Sequence, residues 1–477
     1  CFRRCFIQWL SASDMITPPD VVWVTLDSVR ADHVSMGDYR RDTTPSLQRI
    51  ADKDAGTYFP HCYASGNATP ISSASILTGT QPSRHGIGSG NDVVPDSLPT
   101  VPELLQDVGY QTGCVSRNSY VSSGTGLDRG FDRFKWISSS SFLREVPNRT
   151  LLKWGINLRR HSAGFTTDPA KHATPFIMND IAKRWLSELS AQNAPFYLYL
   201  HYNEPHRPYY PPRPYLDEYT DEIDATPEEA ATIAMRVHQN ADDIMANGCE
   251  LSKRELAATK AMYDAEIRYT DECIGRLFNY VQSLDRDVIF VITADHGELF
   301  CEHGLLAHRL VVTDPVTHVP LIVHGMEGIA DKSDDIIQHI DIAASIVSQA
   351  GGPTDTFHGI DFREASRKGA ISQRGPTDFE IYTERNRNFD TSRYHRAMLT
   401  SYRTQDYRFQ TSTDRTELFV PPNEETDVSG DNPAVTESFE TRIQEWLETK
   451  GEKIEANKES KLTDEMRSQL RDLGYVE

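Results

Sequence analysis

The sequence predicts an α/β sandwich followed by a small antiparallel subdomain. Three continuous runs of β-branched and aromatic residues have the composition of strands buried on both faces. Capped helix patterns fill the gaps between them, and past residue 375 the pattern changes to short polar alternation.

The first run, Val21 to Leu26, delivers Asp27 at its carboxyl end. The second, Phe196 to Leu200, leads into His201 and His206, and the third, Val288 to Thr293, leads into Asp295 and His296. In open α/β sheets the crevice beyond the carboxyl ends of the strands is where ligands bind, so acids and histidines at all three ends mark one candidate site. Between the strands, Thr100 with Glu103 forms a capping-box signal for a helix that Gly109 ends. Thr174-Pro175 starts a helix with Ile177, Ile181, Trp185 and Leu189 on one face, and Ser252 with Glu255 opens a long one. Residues 210–250 are acidic and Ala-rich with few large apolar side chains, the composition of a surface insertion. The alternation from Tyr394 to Gln410, a turn at Pro421-Pro422 and a helix near 436–449 make up the small subdomain. The resulting division is a leader at 1–14, a main α/β domain at 15–370, a small α+β subdomain at 371–450 and a charged tail at 451–477.

Bulk properties narrow the function classes. A formal net charge of -21 over 477 residues argues against nucleic acid as a partner, since phosphate backbones are met with surplus Lys and Arg. Only 13 of the 49 basic residues are lysine, against 70 acids, a balance that resembles halophilic proteins whose self-repulsion is screened by salt. No apolar run approaches the roughly 20 residues that span a bilayer. The seven cysteines, Cys1, Cys5, Cys62, Cys114, Cys249, Cys273 and Cys301, are odd in number and never in a C-x-x-C pair. That pattern predicts reduced thiols and a cytoplasmic setting.

Asp27, Asp295 and His296 have the donor types that converge on a divalent cation, although each alone is equally well a turn residue. The Thr293-Ala294-Asp295-His296-Gly297 segment shifts the balance, because a buried strand ending in Asp-His-Gly puts two ligand-type side chains on a tight turn. His308 follows in a loop where a second group of imidazoles reaches the same crevice. Thr69 is the candidate nucleophile: with Pro70 behind it, it is placed as an N-cap at the positive end of a helix, a ready anion site. Ser72 and Ser73 are alternative hydroxyls one turn in. A bare Thr hydroxyl is a poor nucleophile, and metal coordination is one way to activate it.

The order and spacing of Leu26-Asp27-Ser28-Val29-Arg30-Ala31-Asp32, Ser75-Ile76-Leu77-Thr78-Gly79, His201 to Tyr209, Asp295-His296-Gly297-Glu298 and Val319 to Val323 resemble the sulfatase-like branch of the alkaline phosphatase superfamily. The likeness extends to His339-Ile340-Asp341 and Glu417-Leu418-Phe419. It implies a large mixed sheet between helices, a small C-terminal antiparallel sheet, and metal-assisted attack on a tetrahedral sulfate or phosphate group. By position it makes Asp27, Asp295 and His296 metal ligands, Thr69 both nucleophile and partial ligand, and His206 and His308 contacts to the ester oxygens or leaving group.

The departures from that pattern are informative. True sulfatases of the family carry Cys or Ser, then x-Pro-x-Arg, and convert the first residue to formylglycine; here Thr69, Ile71 and Ser73 stand at those places, so no formylglycine is expected. The family's Gly-Lys-x-His segment appears as Ser116-Arg117-Asn118-Ser119. These differences resemble the superfamily's phosphoethanolamine and phosphoglycerol transferases, which use a metal-bound Thr, and point to Zn²⁺ or Mn²⁺ over Ca²⁺. The leading expectation is a hydrolase or transferase of phosphoesters or phosphodiesters. The alternatives are a sulfatase acting on sulfated carbohydrate or aryl esters, and a non-catalytic relative that binds an anionic glycan. Each takes a small-molecule or glycan ester as partner.

Overall fold

The computed structural model describes residues 18–138, 146–158, 160–162 and 173–474, so the expected leader lies outside the described residues. Eight strands form the main sheet: β1 (Asp20–Leu26), β2 (Gly56–Tyr63), β3 (Gln111–Ser116), β4 (Arg133–Trp136), β5 (Phe196–Tyr202), β6 (Val288–Ala294), then, after a short hairpin of β7 (Leu299–Phe300) and β8 (Leu306–Ala307), β9 (His318–His324) and β10 (Ile337–Gln338). Their order is β10-β2-β9-β6-β1-β5-β3-β4. β9 runs antiparallel to both β2 and β6, which makes the sheet mixed. The three apolar runs are its adjacent central strands, parallel throughout, with Leu26 level with Tyr202 on one side and Ala294 on the other. That register brings Asp27, His201 and Asp295 to one edge of the sheet.

Every residue of β1, β5 and β6 is buried, as a sheet flanked by helices requires. The capping boxes at Thr100 and Ser252 form as the spacing predicts, opening helices at Val101–Asp107 and Lys253–Val281. The helix at Pro175–Ser190 packs on β3 and β5, though Thr174 spends its hydroxyl on the buried Glu204 carboxylate and not on its own helix. A second sheet, β11 (Ala370–Arg374), β12 (Leu399–Arg403), β13 (Arg408–Thr411) and β14 (Thr416–Phe419), is wholly antiparallel. The Pro433–Lys450 helix closes it through Ile443, which meets Tyr402, Phe409 and Leu418 in a small separate core.

Two expectations are corrected. Residues 210–250 are not a surface insertion: the helices Pro227–Gln239 and Ala241–Ala246 bury Ala230, Ala231, Ala234 and Met245, and the first packs on the long Lys253–Val281 helix. Small alanines let helices approach closely, so a core can be built there without large apolar residues. The cysteines are not all reduced either. Cys249 and Cys301 form a disulfide across a sequence separation of 52, while Cys62, Cys114 and Cys273 are free and buried. Disulfides are rare in reducing cytoplasm, which removes the cysteine-based reason for a cytoplasmic setting. No helix among the described residues is long and apolar enough to cross a membrane.

The charged C-terminal stretch also contains ordered structure. Its Asp464–Asp472 helix buries Met466 and Leu470. Gln469 locks it to the loop after β3, accepting from the Ser119 hydroxyl at 2.5 Å and donating to the Arg117 carbonyl at 2.7 Å.

Candidate active site

The site is assembled by backbone turns at the ends of β1 and β6. Ser28 adopts a left-handed conformation, φ 68°, which turns the chain sharply after Asp27. Tyr263, from the long helix, braces that turn: its hydroxyl accepts from the Arg30 N–H at 3.0 Å and donates to the Ser28 carbonyl at 2.7 Å. The Ser28 N–H then donates to Asp295 Oδ1 at 3.2 Å and the Ser28 hydroxyl to Asp27 Oδ1 at 3.0 Å. Asp295 Oδ1 also takes the His296 N–H at 2.8 Å, which leaves Oδ2 facing inward.

Around that inward face the donor atoms converge. One ligand atom each of Asp27, His201 and Asp295 lies within 4.8 Å of the others, all three residues buried. His296 Nε2 stands 3.7 Å from Asp27 Oδ1 and 3.6 Å from Asp295 Oδ2. Asn118 donates to Asp27 Oδ2 at 3.0 Å. Thr69 Oγ1 is 3.4 Å from the same Asp27 oxygen and 3.3 Å from His296 Nε2.

Three histidines are held in one tautomer by backbone carbonyls. The Nδ1–H of His296 donates to the Gly297 carbonyl, that of His206 to the Arg207 carbonyl and that of His308 to the Asn67 carbonyl, at 2.8–3.0 Å. A ring pinned this way presents the Nε2 lone pair to the site. Asn67 completes a reciprocal clamp by donating its side-chain amide to the His308 carbonyl at 3.0 Å. The His308 ring lies 4.2 Å from that of His296 and 5.6 Å from that of His206, centroid to centroid. Burial, reinforced by neighbouring cations, holds both His206 and His308 well below the usual imidazole range, so they are neutral near pH 7.

The six residues expected from sequence, Asp27, Thr69, His206, Asp295, His296 and His308, thus lie around one cluster, and one detail differs. Thr69 is the first residue inside its helix, Thr69–Thr78, with Ala68 as the N-cap. Its hydroxyl reaches Asp27 and His296. His201, expected as a strand end and as part of the His201-to-Tyr209 segment but not as a ligand, belongs to the cluster, as does Asn118; Asn67 braces it. The signal for His201 was a lone imidazole within an otherwise apolar buried strand.

The family model for sulfatases matches residues 19–352. The chain belongs to the sulfatase family. It is 23% identical over 350 residues to the uncharacterized sulfatase YidJ of Escherichia coli strain K12, covering 70% of this chain and 68% of that one. It is also 23% identical over 422 residues to the N-acetylglucosamine-6-O-sulfatase of Bacteroides thetaiotaomicron, covering 75% and 72%. Among solved structures, the phosphonate monoester hydrolase of Agrobacterium radiobacter superposes with a TM-score of 0.68 at 18% identity, over 90% of this chain and 95% of that one. A protein solved with its substrate D-glucosamine-2-N,6-O-disulfate gives 0.66 at 20% identity, over 91% and 100%. This chain is therefore a hydrolase of the sulfatase branch of the alkaline phosphatase superfamily, with that branch's mixed sheet and small antiparallel sheet.

Enzymes of this family use a divalent metal, and the donor set fits one. Asp295 Oδ2 and both ring nitrogens of His201 are buried without a hydrogen-bond partner, the closest approach between the two side chains being 3.5 Å. Asp27 is pushed well above the carboxylate range by burial and by the Asp295 charge. For Asp295, burial acts in the same direction but is outweighed by the neighbouring His296 and His201, which bring it below that range. Two buried carboxylates so close together both ionise only when a cation lies between them.

Proposed function

We propose that this sulfatase-family hydrolase cleaves a phosphate ester, monoester or diester, with Thr69 as nucleophile. The supporting observation is the position of Thr69 Oγ1, 3.4 Å from Asp27 Oδ2 and 3.3 Å from His296 Nε2, at the inner edge of the buried donor cluster. Asp27, Asp295, His296 and His201 would hold a divalent cation with Thr69 Oγ1 at its edge, where it would supply Lewis acidity and make the hydroxyl easier to ionise. Two imidazoles among four ligand side chains suit Zn²⁺ or Mn²⁺ better than Ca²⁺.

In this reading the Thr69 oxygen bonds to phosphorus as the bond to the leaving alcohol breaks, and the alcohol departs with one proton. Water then attacks the phospho-threonine, giving its OH to phosphorus and returning a proton to Thr69. Asn118 keeps Asp27 oriented throughout. His206 and His308 meet the substrate as neutral rings, and the phosphate ester's negative charge favours their protonation, turning Nε2 into a donor to the ester oxygens.

The second reading, a sulfuric ester hydrolase, draws on the relatives named as sulfatases, among them the N-acetylglucosamine-6-O-sulfatase. Hydrolysis of bis(4-nitrophenyl) phosphate, 4-nitrophenyl phosphate and 4-nitrophenyl sulfate, side by side in high salt with Zn²⁺ or Mn²⁺, separates the two. Phosphate-ester turnover is expected, reduced at least about 10³-fold in Thr69→Ala and abolished by chelation. Sulfate turnover that survives Thr69→Ala would overturn the threonine mechanism. Tight binding of sulfated glycans with no turnover of any ester would favour the non-catalytic alternative.

A further inference from the structure

A pocket of 430 Å³ is lined by Arg207, Arg309, Arg385 and Arg471 against Asp242 and Asp243. Arg207 follows His206 in the chain and Arg309 follows His308, so both arginines leave the backbone one residue from the imidazoles of the candidate site. Both guanidinium charges are felt by the His308 ring, which puts the pocket beside the place where the ester would sit.

Among the described residues its charges do not balance. Arg309 pairs with Asp242 at 3.2 Å and Arg385 with Asp243 at 3.3 Å, which uses both carboxylates. Among the described residues, neither Arg207 nor Arg471 pairs with a carboxylate. Arg207 is only 7% exposed, and its Nε is buried with no hydrogen-bond partner. Among the described residues its guanidinium hydrogen-bonds the Gly474 carbonyl alone, at 3.4 Å, an oxygen that Arg309 also uses. The buried Glu298 carboxylate feels the Arg207 charge but forms no direct ion pair with it and is itself pushed up to about 7 by burial, so the guanidinium is left largely uncompensated, and a planar fork with an unused donor matches a carboxylate, sulfate or phosphate. In a chain of net charge -21, a pocket with surplus positive charge is a local exception that focuses anions.

We infer that this pocket binds a second anionic group, carried on the alcohol portion of the ester whose phosphoryl or sulfuryl group lies at Thr69. The substrate is then a polyanionic ester, its leaving alcohol bearing a carboxylate, sulfate or phosphate of its own. The inference rests on the proposed reading of the Thr69 site for the position of the scissile group, and Arg207 and Arg471 are its specificity determinants.

Two measurements test it, at the lowest salt in which the full chain stays folded. The first is kcat/KM for a pair of aryl esters with and without a ring carboxylate. The second is calorimetric titration of inorganic phosphate, which reads the pocket without turnover. The carboxylated ester is expected to be favoured at least about 10-fold, with the ratio falling toward one in Arg207→Gln and Arg471→Gln. Phosphate is expected to occupy two sites, one of them lost in the same variants. Arg471 is exposed, so its variant keeps the test valid if loss of the buried Arg207 impairs folding. An unchanged ratio together with a single phosphate site unaffected by Arg471→Gln would overturn the inference. If neither ester turns over while a second phosphate site is present and lost with Arg471, the pocket assignment stands and the Thr69 reading falls.

Discussion

Thr69 shows how one side chain can be placed by several distant segments. Its hydroxyl reaches Asp27, at the end of β1, and His296, 227 positions further on, so its chemistry depends on contacts no local window contains. The same holds for Asn118 on Asp27, in the segment that departs from the family's Gly-Lys-x-His, and for Asn67 on His308, in a loop without a motif of its own. The acids and histidines at strand ends were legible because they interrupt apolar runs. The amides that orient them were not, since Asn in a loop is ordinarily a turn residue. Glu266 carries a separate residue-scale prediction. It is buried, one oxygen accepts the Tyr210 N–H at 3.1 Å, the other has no partner, and burial with the nearby Glu204 charge pushes it up to about 8. A raised carboxyl holds its proton in the folded chain after the unfolded chain has released it. Its contribution to stability is therefore intact below about pH 4.5 and declines as pH rises toward 8, by at most about 1.4 kcal/mol per pH unit. Glu266→Gln is expected to match the parent near pH 5 and to exceed it in urea unfolding at pH 8. Parallel pH curves for the two proteins would remove the assignment.

At the scale of elements, strands and capped helices followed from periodicity, while partnerships between them did not. The capping boxes at Thr100 and Ser252 are local and formed as read. The Pro227–Gln239 helix was misjudged because burial depends on what lies opposite, and alanine facing another helix is core material. The Cys249–Cys301 bridge was missed for a related reason: it joins the segment before the long helix to the β7–β8 hairpin, which only tertiary packing brings together. Closing a loop with a separation of 52 removes chain entropy from the unfolded state worth about 4 kcal/mol. Replacing both cysteines with serine is expected to lower the unfolding free energy by up to that amount, and reductant should then have no further effect. A reductant-insensitive parent protein, with free-thiol titration showing no bridge, would count against the disulfide.

For the molecule as a whole, 70 acidic residues against 49 basic ones make self-repulsion a general term in stability. Salt shortens the range of that repulsion to about 3 Å at 1 M, so the urea midpoint is expected to rise steeply from 0.1 to 2 M KCl; a flat profile would end the proposal of adaptation to high salt. By itself, the sequence determined the fold class, the three central strands and the acids and histidines at their ends, because burial periodicity and strand-end chemistry are local properties of the chain. Tertiary structure alone decided four things: the inclusion of His201 in the donor cluster, the turning of Thr69 toward Asp27 and His296, the pairing of Cys249 with Cys301, and the pocket where, among the described residues, Arg207 and Arg471 form no direct ion pair with a carboxylate. Each depends on the distance between residues remote in sequence, and that distance is fixed by strand order, register and helix packing rather than by any local pattern of residues.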